Sequence, residues 1–136
     1  MDTVMAAERE ACCACGALRV HVTGEPLRIS ICHCFECQRR TGSAFGVQAR
    51  FPKASVRIEG ASTAYTRTAD SGNAITLHFC PTCGSTVYYE MARFPDALGI
   101  AVGAFADPTF PAPRVSVYEA RKHAWVGLPD AIEHLD

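Results

Sequence analysis

Cys32-His33-Cys34-Phe35-Glu36-Cys37 sets three thiols within six residues, and everything else in the chain is read outward from it. Cysteines this close together have the spacing of metal ligands rather than of loop-closing disulfides. Soft thiolates select zinc or an iron–sulfur cluster over hard cations. Two more clusters flank this one, Cys13-Ala14-Cys15-Gly16 and Cys80-Pro81-Thr82-Cys83-Gly84. Seven of the eight cysteines fall in the three clusters, so the central question is how seven sulfurs divide among metal ions.

A disulfide framework is the competing reading, and it requires an oxidising compartment. Residues 1–10 carry Asp2, Glu8, Arg9 and Glu10 and no long apolar run, so they do not read as a secretory leader. They are expected to form a loose N-terminal segment. No stretch is long and apolar enough to span a membrane. A cytoplasmic location is therefore expected, where thiols stay reduced and clustered cysteines signal metal or catalysis.

The 136 residues, 49% hydrophobic and 20% charged, suit a single domain over 1–136 that can bury a true core. The net charge is −1, and the only adjacent basic pairs are Arg39-Arg40 and Arg121-Lys122. That argues against a nucleic-acid partner, whose affinity rests on clustered Lys and Arg.

Turn residues punctuate the chain at Gly16, Gly24, Gly42, Pro52, Gly60, Gly72, Gly84 and Pro95. Between them lie short alternating runs: 18–22, 27–31, 56–59, 75–79 and 87–89. The run 98–104 reads as a more buried strand with small residues on one face. Period-two patterning over many short runs predicts an all-β domain. One short helix is expected from about Glu36 to Arg40, and a second after Pro129, over 130–135. Asp107-Pro108-Thr109-Phe110-Pro111-Ala112-Pro113 has three prolines and must be a loop or extended connection.

Cys80-Pro81-Thr82-Cys83-Gly84 has the pattern of a zinc knuckle. Proline presets the turn, and the glycine lets backbone amides fold back toward sulfur. A knuckle supplies two ligands and a closed tetrahedral site needs four. Cys13 and Cys15, on a turn of their own, are the best complement. The four are assigned to one structural zinc.

Cys32, Cys34 and Cys37 remain. Three protein ligands with an open position is the arrangement of a reactive zinc site. Other completions stand beside it: His33 or Cys12 as fourth ligand, or a purely structural site closed by water. Three thiolates damp the Lewis acidity of zinc relative to three neutral histidines. Such a site suits an exchangeable soft ligand, a substrate thiol, better than hydroxide generation. Arg39 and Arg40 are placed to offset its negative charge or attract an anion, or are simply solvated.

With all three clusters in place, the chain resembles the glutathione-dependent formaldehyde-activating enzyme family, also called the GFA or CENP-V-type domain. The pattern Cys-x-Cys-Gly, then Cys-x-Cys-x-x-Cys with a basic stretch and Gly-Ser, then Cys-x-x-Cys-Gly runs through Cys13, Cys15, Cys32, Cys34, Cys37, Gly42, Ser43, Cys80 and Cys83. It covers the chain from about Ala11 to Pro129. The resemblance implies an Mss4-like fold of twisted antiparallel sheets. It also implies a structural zinc on Cys13, Cys15, Cys80 and Cys83 and a labile or catalytic zinc on Cys32, Cys34 and Cys37. The implied activity is that of a carbon–sulfur lyase, joining glutathione to formaldehyde as S-hydroxymethylglutathione. A non-catalytic binding module for a thiol adduct or a protein partner is the alternative. A chromatin role fits poorly with the near-neutral charge. Exposed edge strands would offer a route to a homodimer.

Outside the clusters, Trp125 is read as a core residue, with a pocket wall as the alternative. Phe45 is placed beside the open zinc or in the core. His21 and His78 fall on outward strand positions. His123 is a candidate acid or base that only geometry can test.

Overall fold

The computed structural model describes residues 7–135. Among the described residues, eleven strands form two sheets, joined by one α-helix and short 3-10 turns. In chain order the strands are β1 (Glu8–Cys12), β2 (Arg19–Thr23) and β3 (Arg28–Cys32), followed by helix α1 (Phe35–Thr41). Next come β4 (Gly46–Pro52), β5 (Val56–Glu59), β6 (Thr63–Thr68), β7 (Ala74–Phe79) and β8 (Thr86–Met91). The last three are β9 (Ala97–Ala101), β10 (Val115–Val117) and β11 (Glu133–Leu135). The small sheet runs β1-β2-β5 and the large one β11-β10-β3-β4-β9-β8-β7-β6.

Alternation decides which face is buried. In β2, Val20 and Val22 point inward while Arg19 and Thr23 stay exposed. They meet Ile29, Ala49, Phe51, Leu98 and Ile100 from the large sheet, and this is the main core. The intervening residues of β3, β4 and β9 therefore line the opposite face of the large sheet. That face carries the site.

Helix α1 has only seven residues, too short to persist alone, and is held by its ends. Cys34 is its N-cap, its sulfur accepting from Cys37 N–H. Gly42, at φ 66°, closes the last turn with its N–H on the Gln38 carbonyl.

Five expectations are corrected or refined. Glu8–Glu10 are part of β1 rather than loose chain, because their backbone pairs with β2; residues 1–6 lie outside the described residues. Residues 133–135 are a strand, not a helix, because they pair parallel with β10. The sheets are antiparallel except at this edge, where β10 also pairs parallel with β3. Trp125 is 74% exposed, not core, and stands edge-on to His123. His21 and His78 are half-buried rather than exposed, each hydrogen-bonded to a carboxylate, Glu59 and Glu90 respectively. No helix among the described residues is long and apolar enough to cross a membrane.

Candidate metal centres and the cleft

Two turns far apart in sequence build the first cysteine group. Cys13 and Cys15 lie between β1 and β2, and Cys80 and Cys83 in the turn from β7 to β8. A shift in the β7–β8 register just before Cys80 turns the strand end toward the first loop. Cys13 and Cys15 sulfurs are 3.7 Å apart, and those of Cys15 and Cys80 are 3.6 Å apart. A tetrahedron with Zn–S bonds of about 2.3 Å has S···S edges of about 3.8 Å. The donor set and its spacing fit zinc, and all four sulfurs lie within 4.8 Å of one another.

Backbone amides point at these sulfurs, Leu18 N–H at Cys13 and Thr82 N–H at Cys80. Gly84 sits at φ 79°, as the knuckle pattern requires. Ala14 N–H donates to Ser85 Oγ and joins the two turns directly. The neighbouring Ser85 hydroxyl also draws the Cys83 thiol down to about 5, favouring thiolate. Cys12 stands outside the group, its sulfur against the Cys13 carbonyl.

The second group comes from one loop. Cys32 ends β3, Cys34 caps α1 and Cys37 lies in its first turn, all three buried. Their sulfurs also lie within 4.8 Å of one another. Sulfur hydrogen bonds from Cys32 and Cys37 pull the Cys34 thiol down to about 2, and the same contacts push Cys32 up. One thiolate forms readily and its neighbours hold their protons until something positive shares the site. Such a donor set fits a soft divalent ion.

His33 is fully buried and turns away, with Nε2 3.0 Å from Ser116 Oγ. It is not among the residues whose ligand atoms converge here. Arg40 reaches the group instead: its Nη2 is 4.0 Å from Cys37 Sγ and its guanidinium lies 5.2 Å from the Tyr89 ring. Gly46 makes room for it, since a Cβ there would come within 2.7 Å of Arg40 Nη2. Arg39 is exposed and pairs with Glu36. Phe45 packs edge-on to His33. His123 bonds to Gln38, whose amide donates to the His33 and Arg121 carbonyls, so it braces the helix.

The three sulfurs line a cleft of about 410 Å³ on the outer face of the large sheet. A larger hollow of about 720 Å³, beside β1 and β2, contains no thiol. Tyr118 packs on the three cysteines and is held at φ 57°, a left-handed conformation costly for a bulky residue. Arg28, Arg50, Arg67 and Arg93 also border the cleft. Sequence reading missed all five. One signal was available: in Arg28-Ile29-Ser30-Ile31-Cys32, alternation puts Arg28 and Cys32 on the same face.

The chain matches the family model described as glutathione-dependent formaldehyde-activating enzyme over residues 8–121. It belongs to that family. Among solved structures it is similar to a Rhodobacter sphaeroides protein, at 25% identity and a TM-score of 0.57. The match covers 75% of this chain and 91% of that one. No curated protein matches the chain.

Proposed function

We propose that this protein joins a small thiol to an aldehyde at the three-cysteine site, with glutathione and formaldehyde as the first pair to test. The observation that carries the reading is a difference in ligand number. Three buried sulfurs converge where the cleft reaches them, while four converge at the other group. The family description supplies the substrate pair.

Cys32, Cys34 and Cys37 would hold the zinc, and Cys13, Cys15, Cys80 and Cys83 a structural one. A zinc ion bound by three thiolates supplies a position for a soft ligand and lowers the pKa of a thiol placed there. The rest is done by the chain. The three cysteines are buried in the floor of the cleft, which would limit water around their sulfurs. Tyr118 and Arg67 line the cleft, and either would stabilise the oxygen as it gains charge by donating to it. The new bond is C–S, the bond lost is the carbonyl π bond, and the thiol proton ends on the former carbonyl oxygen.

Two-dimensional exchange NMR on formaldehyde and glutathione tests this, with zinc-loaded protein and Cys34→Ser. Faster adduct exchange with the wild type alone is expected. Equal exchange rates with and without the wild type would sink the assignment and leave a binding module.

A further inference from the structure

The end of the cleft away from the cysteines has an unbalanced charge. Arg28 in β3 sits directly across from Arg50 in β4. Like charges facing across strands destabilise a sheet. Arg93 joins them, since Arg50 and Arg93 lie over the same Phe94 ring, at 4.1 and 5.4 Å. No carboxylate within salt-bridge distance of these three appears among the described residues. The acidic side chain of the cleft, Asp70, pairs with Arg121 instead. Arg28 Nε and Gln48 Oε1 are both buried without a hydrogen-bond partner. In a chain of net charge −1, three arginines gathered without a counter-ion call for an anion from outside.

The sheet register orders these groups. Arg28 is level with Arg50, Ser30 with Gln48, and Cys32 with Gly46. Opposed residues share a face, so the three rows run down one wall: cationic, neutral polar, thiol. Four residues of strand separate the first row from the last, about 13 Å between Cα atoms.

We propose that Arg28, Arg50 and Arg93 form a carboxylate subsite that selects a thiol bearing a remote carboxylate. Gln48 Oε1 accepts an N–H from the middle of the same ligand. The ligand class is a short peptide thiol, its sulfur toward the cysteines and its terminal carboxylate at the arginines. A small uncharged thiol fills one row and leaves the other two unmet. The choice of probe rests on the thiol–aldehyde reading above.

Calorimetric titration of zinc-loaded protein with S-methylglutathione tests the subsite without using the thiol. Binding should weaken about tenfold or more in Arg28→Gln, in Arg50→Gln, and for the diethyl ester of the probe. Arg57→Gln, outside the cleft, should bind as the wild type does. Unliganded Arg50→Gln should melt no lower than wild type, because it relieves the Arg28–Arg50 opposition; lost binding is then not lost folding. Undetectable binding to the wild type, or equal binding by Arg50→Gln or of the ester, overturns the subsite. Arginine-dependent binding without accelerated thiol–aldehyde exchange keeps the subsite and removes the lyase reading.

Discussion

The two cysteine groups are made of the same atoms and differ in how the chain delivers them. Cys13, Cys15, Cys80 and Cys83 come from two turns with more than sixty residues between them, and Cys15 and Cys83 are exposed. Cys32, Cys34 and Cys37 come from one loop and are all buried, yet they line the cleft. Exposure therefore does not mark which group would be the reactive one. Ligand number and access from the cleft are what differ. Four sulfurs can complete a tetrahedron around a metal, and they join the small sheet to the β7–β8 turn. Three would leave a position of such a metal open, and they join only a strand end to a short helix.

Breaking the first group should have the largest effect. Cys80 is fully buried and lies at the turn between β7 and β8. Cys80→Ser is expected to destabilise the protein by on the order of 4–5 kcal/mol, as for loss of a structural metal. Thermal unfolding with metal analysis would show it. Cys34→Ser should do the converse: near-native melting, one metal fewer per chain, and thiol–aldehyde exchange reduced at least about 100-fold. Equal loss of stability in the two variants would erase the distinction. Chelation grades the same contrast in time. EDTA should strip the three-cysteine site first, abolishing exchange while circular dichroism is unchanged, and remove the second metal only slowly.

A finer probe is Gly60, at φ 97°, where a Cβ would lie 2.0 Å from the Ala17 carbonyl oxygen. Ala17 belongs to the turn holding Cys13 and Cys15. Gly60→Ala should cost about 1–3 kcal/mol and speed metal release from the four-cysteine group alone. The smallest effect concerns pH and neither metal. The His21 hydrogen bond holds the Glu59 carboxyl below its ordinary range. Its folded pKa is thus below its unfolded one, so the contribution is present above the usual carboxylate pKa and lost as pH falls through the folded value. Glu59→Gln should slightly flatten the acid limb of the stability profile, measured by denaturant titration.

The parts legible in the sequence were those with local rules. Cysteine spacing anticipated both groupings that the fold brings together, and alternation found β2, β3, β5 and β7. Cys34 and Gly42 bracket a helix within a residue of the expected one. What was not legible depended on distant partners. β6 is almost wholly exposed and has no apolar alternation to betray it; pairing with β7 makes it a strand. β10 and β11 are three-residue strands whose existence depends on β3. Trp125 had no motif to place it. The arginines escaped notice because β3, β4, β6 and the turn before β9 each contribute one. No window of sequence contains the cluster.

The three-cysteine site should accept a thiol and the four-cysteine site should not. Cobalt substitution reads this directly, because thiolate-to-cobalt charge transfer reports each added sulfur. With two cobalt ions per chain, glutathione should intensify that band in the wild type. Cys34→Ser, keeping only the four-cysteine cobalt, should show no change. A wild-type spectrum indifferent to saturating glutathione, with both sites filled, would contradict the account.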